Sequence, residues 1–267
     1  MMGRELKTVR LERAGPLARV ALARPQVRNA FDDVLVAELT EVFGALGRDP
    51  DVRVIVLSGD GPVFCAGADV AWMRKAGGYS SEENARDAER MARMLRSIDA
   101  CPRPVIALAQ GAAIGGGVGL LAAADIAIAA EDAVFSLAEV RLGILPSVIS
   151  PYVVRAIGPR FARELFLTGD RFDARTAHRI GLVHEVVGAP ELEAAVRRRV
   201  DSLLAAGPEA VAVAKRLIDQ VVGRTPEEAM ALTVSTIAER RASAEAKEGL
   251  TAFLEKRRPT WARKLES

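Results

Sequence analysis

Two glycine-containing bends and one carboxylate carry the chemistry that this sequence can support. The first bend is Phe64-Cys65-Ala66-Gly67-Ala68-Asp69, and the second runs from Gly111 to the triplet Gly115-Gly116-Gly117. Each follows a short apolar run, Val52–Leu57 for the first and Pro104–Gln110 for the second, and such runs bounded by turn residues read as buried strands. The second bend opens into Val118–Ala124, an Ala- and Leu-rich segment that should be helical. The first amides of a helix lack intrahelical acceptors and lie at the positive end of its dipole. If the two strands lie side by side, their bends share the edge where βα units usually bind ligands. One N–H from each could then hold one oxygen and stabilise the enolate of a carbonyl compound. Glu139 is a carboxylate that follows a further apolar run, Asp125–Ala130.

Each feature has a plainer reading. A glycine triplet can simply let a helix approach a sheet. It is not a nucleotide loop here, because no Lys-Ser/Thr follows it and Leu120 breaks the G-x-G-x-x-G spacing. Glu139 on its own could be an exposed acid at a helix start. Cys65 reads as a small packed hydrophobe, since no His lies in either bend. His178 and His184 are distant from the motifs, and no G-x-S-x-G is present to suggest a serine hydrolase. Trp72 and Met73 suit either the core or the wall of a pocket. The basic run Lys256-Arg257-Arg258 suits a solvated face.

The elements that must position these residues follow in order. Thr8–Arg13 and Ala18–Ala23 read as a strand pair turning at Gly15, ended by Pro25. Asp32 can cap a helix to Leu46, with Leu35, Leu39, Val42, Phe43 and Leu46 on one face. Ser80 and Glu83 form a capping box for a helix to Ile98. After Glu139 the chain is expected to turn at Pro146, Pro151 and Gly158-Pro159. It is then mainly helical apart from a strand at Leu182–Val187. Thr225-Pro226-Glu227-Glu228 is another helix start, and the last ~60 residues carry no strand signal.

The chain has 267 residues, 50% apolar and 27% charged, with a net charge of +2. These values suit a globular fold of one or two domains and make no electrostatic case for nucleic acid or a membrane surface. Val105–Ala124 is uncharged and about long enough to span a bilayer. Its five glycines and Gln110 fit a soluble βαβ core better. The start MMGRELKTVRLERAG shows no apolar leader, and two cysteines argue against a disulfide scaffold, so a reducing cytoplasm is expected.

Taken together, F-C-A-G-A-D at 64–69, G-A-A-I-G-G-G at 111–117 and L-A-E-V-R-L-G at 137–143 resemble the crotonase (enoyl-CoA hydratase/isomerase) superfamily, in order and spacing. R-P-x-x-R-N-A at 24–30 and F-L-E-K-R at 253–257 are also similar to the family. The resemblance implies an α/β fold: a ββα spiral core over 1–200 and a C-terminal helical oligomerisation subdomain over 201–267. It implies trimers or dimers of trimers, acyl-CoA substrates, no metal, and no cofactor beyond the coenzyme A of the substrate. It assigns the oxyanion-hole amides to Ala68 and Gly116 and a catalytic carboxylate to Glu139. It places Ala66, Gly67, Ala68 and Asp69 along the thioester and pantetheine, Arg28 and Ala30 near the CoA nucleotide, and Trp72 by the acyl group.

Where the family's hydratases carry a second glutamate, this chain has Gly119. A single glutamate resembles the Δ3,Δ2-enoyl-CoA isomerases. A-D-V-A-W-M-R at 68–74 and L-P-S-V-I-S-P-Y-V at 145–153 instead resemble bacterial methylglutaconyl-CoA and related branched enoyl-CoA hydratases, and hydration is the preferred expectation. Gly119 is expected to leave an uncharged space for a substrate carboxylate. Ser147 or Ser150 could help Glu139 hold the water. A non-catalytic CoA-binding protein on the same fold is the remaining alternative.

Overall fold

A computed structural model describes residues 5–263. The outermost residues of the two expected domain ranges, and of the segment read as lacking a leader, lie outside the described part.

The described residues form nine strands and ten α-helices. β1 (Val9–Ala14) and β2 (Leu17–Leu22) make an antiparallel hairpin, turning at Gly15 with φ +55°. β3 (Val54–Gly59) and β4 (Val105–Ala109) follow, then β5 (Ala112–Ile114), β6 (Ile126–Ala130), β7 (Val134–Ser136), β8 (Arg171–Asp173) and β9 (Glu185–Val187). One sheet runs in the order β1-β2-β3-β4-β6-β9, parallel from β2 onward. A second, three-stranded sheet runs β5-β7-β8. The central strands are almost wholly apolar, as a parallel sheet covered on both faces requires. Val54 to Leu57 and Val105 to Ala107 are fully buried.

Helices α1 (Asp33–Arg48), α2 (Val70–Ala76), α3 (Ser81–Asp99) and α4 (Gly116–Ala123) belong to the first half. Asp32 caps α1 by accepting from the Leu35 amide at 2.8 Å, and the five apolar residues of its expected face are all buried. Ser80 and Glu83 form the capping box of α3. In the second half come α5 (Ser150–Thr168), α6 (Ala174–Arg179), α7 (Leu192–Ala205), α8 (Pro208–Val221), α9 (Pro226–Ala242) and α10 (Ala244–Leu254). The expected domain boundary at 200/201 falls inside α7, whose Ala195, Val196, Val200 and Leu204 are buried in the core. From Pro208 to Leu254 the chain is three helices with short connections.

Four local readings change, one of them the strand β8 within the stretch expected to be helical. Pro151 does not turn the chain; it sits in the first turn of α5, where a missing N–H leaves no bond unmade. The expected break at Gly158-Pro159 is present, with Gly158 at φ +71°. α2 goes unseen in the sequence, although Asp69 caps it by accepting from the Ala71 and Trp72 amides. The stretch before the glycine triplet also forms a strand, β5, and α4 begins at Gly116 rather than Val118.

Candidate active site

Strands β3 and β4 lie side by side in parallel, Ile55 opposite Val105, so their bends do emerge together. Backbone bonds tie the two bends: Phe64 N to Gln110 O at 2.9 Å, Cys65 N to Ala112 O at 3.1 Å, and Ile114 N to Cys65 O at 2.9 Å. The packing role of the triplet is real at Gly117, where a Cβ would lie 2.7 Å from the Cys65 carbonyl oxygen. The first bend is also held from its other side. Phe31 N donates to Gly67 O at 2.7 Å and Asp69 N to Phe31 O at 2.8 Å. That alternation leaves the Ala68 amide between them with no backbone acceptor among the described residues. The Gly116 amide opens α4 and has none either.

Both residues line one cavity of about 470 Å³, with Ala66, Gly67, Phe31, Met73, Met91 and the segment Leu142–Ile149 around it. Among the described residues, Glu139 is the one carboxylate in that wall. It stands on a 3-10 turn, Ala138–Leu142, closed by Gly143 at φ +73°. Gly115 makes room for it: its φ is +51°, and a Cβ there would lie 2.7 Å from Glu139 Oε1. Glu139 Oε2 is buried without a hydrogen-bond partner. Desolvation raises the pKa of this carboxyl above the ordinary 4.5. Two free amides beside one unpaired, desolvated carboxyl can hold an oxyanion while a proton moves to or from the neighbouring carbon.

Comparisons with known proteins give the family. A family model described as enoyl-CoA hydratase/isomerase matches residues 12–264. The chain belongs to this family. An enoyl-CoA hydratase structure from Shewanella pealeana superposes with a TM-score of 0.93 at 40% identity, covering 96% of this chain and 97% of that one. A crotonyl-CoA hydratase of Syntrophomonas wolfei is 33% identical over 95% of this chain and 97% of its own length. A 1,4-dihydroxy-2-naphthoyl-CoA synthase of Mycolicibacterium smegmatis is 36% identical over 93% of this chain and 85% of its own. The crotonase-like α/β fold expected from the motifs is thus the fold observed.

Within this crotonase site, Ala66, Gly67, Ala68, Gly116 and Glu139 come together, whereas four other expected residues do not line the cavity. The Asp69 carboxylate is committed to capping α2 and to Arg24, 2.9 Å away. Desolvation pushes its pKa up, but the bonds from the Ala71 amide, Arg24 and the Trp72 amide outweigh that and hold it below 3.8. Trp72 packs in the core, 9% exposed, so Met73 rather than Trp72 forms the wall. Arg28 is exposed at the end of a 3-10 turn, and its contribution near the site is its carbonyl, which accepts from Ala66 N at 3.0 Å. Ala30 is buried, its carbonyl accepting from Arg24.

Gly119 requires a larger correction. It does not leave a space. A Cβ at Gly119 would lie 2.3 Å from Ile149 Cγ2 and 2.9 Å from Ile149 Cβ. Of the two serines considered, Ser147 lines the cavity, while the Ser150 hydroxyl donates to the Ser147 carbonyl at 2.7 Å. His184 lies elsewhere, its Nδ1 accepting from Ala127 N at 3.1 Å. Residues that sequence reasoning missed include Ile149, Met91 and Arg24. Arg24 Nη2 reaches Asp32 and Asp69 at 2.9 Å each, joining the caps of α1 and α2.

Proposed function

We propose that the protein hydrates a branched α,β-unsaturated acyl-CoA through Glu139 alone. The observation that carries this reading is the buried, unpartnered Glu139 Oε2 in the cavity shared by the free amides of Ala68 and Gly116. The thioester oxygen accepts from both amides. Glu139 takes a proton from water as the hydroxyl bonds to the β-carbon, and the double-bond electrons move onto the thioester oxygen as an enolate. The same carboxyl then returns the proton to the α-carbon, so one water is added and Glu139 ends as it began. Ser147 can orient the water. Coenzyme A is part of the substrate, and no separate cofactor enters the step.

The wide apolar wall supports a branched acyl group, as does the similarity of 68–74 and 145–153 to branched enoyl-CoA hydratases. With the place at Gly119 filled, the carboxylate of a methylglutaconyl-type substrate would meet Arg141, the one cationic side chain of the lining among the described residues. Arg141 is exposed and bound to Asp170 at 2.6 Å, a pairing weak enough to exchange. We also propose homotrimers or dimers of trimers in the cytoplasm. Ile218, Met230, Val234, Phe253 and Leu254 leave apolar surface on the last three helices, and both cysteines are free.

One observation favours a second reading. A single carboxylate in an apolar wall equally suits Δ3,Δ2-isomerisation, where the proton leaves one carbon and returns to another. The protein is given 3-methylglutaconyl-CoA, crotonyl-CoA and a trans-3-enoyl-CoA in ¹⁸O-labelled water. Hydration predicts a labelled water gained by the first two. Reaction of the 3-enoyl substrate alone, with no mass gain, gives the isomerase. No turnover of any gives a non-catalytic CoA-binding protein.

A further inference from the structure

One wall of the cavity is built around a contact closer than ordinary packing permits for any residue but glycine. Ile149 Cγ2 and Cβ lie 2.3 and 2.9 Å from where a Gly119 Cβ would stand, with Leu95 Cδ2 behind at 3.7 Å. Because the Ile149 Cβ itself is that close, no rotation of its side chain would relieve the clash. Ile149 is only 3% exposed, enters α5 at its first turn and lines the cavity. It is therefore a fixed partition between the cavity and the core, whereas Leu142, Ile144 and Leu145 on the neighbouring wall are exposed. Gly119 lies three residues along α4 from Gly116, a rise of about 4.5 Å. Ile149 shares the cavity lining with Gly116 and Glu139, so an acyl group held at the Gly116 amide has Ile149 in its wall.

We infer that Ile149 is a specificity-determining residue that limits the size of the substituent on carbon 3 of the acyl group. The inference rests on the acyl-thioester reading of the site, not on which reaction follows. Its methyls occupy the volume that a larger branch would need, and the glycine beneath leaves them no room to withdraw. A misfit of one methylene against an apolar pocket typically changes recognition about 10–200-fold.

The test uses three saturated thioesters that cannot react: butyryl-, isovaleryl- and 3,3-dimethylbutyryl-CoA. Their dissociation constants are measured by calorimetry for the native protein, Ile149→Val, Ile149→Ala and Leu95→Ala, with circular dichroism on each. The native protein should accept the first two and bind the third roughly tenfold or more weakly. Ile149→Ala should largely abolish that penalty and Ile149→Val should reduce it. Leu95→Ala, which opens a hole behind the partition, should leave it unchanged. If Ile149→Ala does not fold, Ile149→Val alone carries the test, and an unchanged penalty there overturns the inference. Equal effects of the Ile149 and Leu95 variants also overturn it, as does failure of the native protein to bind any of the three. Normal binding ratios without turnover of any enoyl-CoA would leave this inference standing and refute the hydratase proposal.

Discussion

Arg24 touches no part of the cavity, yet its removal should slow the reaction. Its guanidinium holds Asp32 and Asp69 at 2.9 Å each and also bonds the Ala30 carbonyl. The three side chains are 14%, 21% and 11% exposed, so the cluster is neither a surface pair nor a fully buried one. Breaking a buried pair costs about 3–5 kcal/mol and an exposed one about 0–1 kcal/mol. Arg24→Met should therefore lose roughly 2–3 kcal/mol, a fall in Tm of about 5–10 °C for a chain of this size. The activity effect follows from the backbone. Asp69 is bonded to Phe31 and follows Ala68, so slackening its anchor lets the Ala68 amide drift from the thioester oxygen. A misplacement of about 1 Å can cost up to 10² in rate. Well below the melting transition, kcat should fall about tenfold or more while KM changes little, because the acyl wall is untouched. Arg24→Lys should recover part of both losses, since a single ammonium can replace Nη2 between the two carboxylates but leaves the Ala30 carbonyl, now held by Nη1, without its donor. A folded Arg24→Met protein with native Tm and native kcat would refute the clamp.

The remaining expectations concern the carboxylate and its glycines. Because desolvation raises the Glu139 pKa, kcat/KM should decline as pH falls through a value above that of an ordinary glutamate, and a decline centred at or below 4.5 would count against the site as described. A carboxyl raised in the folded state contributes stability below its unfolded pKa, and that contribution is lost as pH rises through the folded value. Glu139→Gln should thus melt higher than the native protein at pH 8, with the gap closing toward pH 4, as scanning calorimetry would record. Gly115→Ala, whose Cβ would stand 2.7 Å from Glu139 Oε1 at a φ of +51°, should cost at least tenfold in kcat, which single-turnover assays would detect. Gly119→Ala should lower Tm by several degrees, and Gly119→Ala with Ile149→Ala should regain part of that loss, since the clash lies between those two residues.

Much of the fold was readable because the relevant signals are local. The apolar runs of β3, β4 and β6 and the caps at Asp32, Ser80 and Thr225 all lie within a few residues of the elements they specify. The site was readable where backbone does the work: both bends and Glu139 stand together as the motifs implied. What failed depended on juxtaposition. Asp69 looked like part of the site because it ends a motif, but it is the cap of a helix whose short run Val70–Ala76 has little periodicity to reveal. Trp72 and Met73 are adjacent in sequence, and only packing decides that one enters the core and the other the wall. Gly119 seemed to announce an empty space because its filler, Ile149, comes from another element. The sequence holds no hint that a proline-bounded turn would press an isoleucine onto that helix.

The central claim is that one carboxylate, Glu139, moves the proton that accompanies the addition of water. The direct measurement is the rate of ¹⁸O incorporation into the best enoyl-CoA substrate by native protein and Glu139→Gln, at equal saturation and with folding checked. Glu139→Gln keeps the shape of the side chain and removes the base, so incorporation should fall by about 10²–10⁴-fold while substrate affinity holds within a few fold. Incorporation by Glu139→Gln at near-native rate would contradict the account.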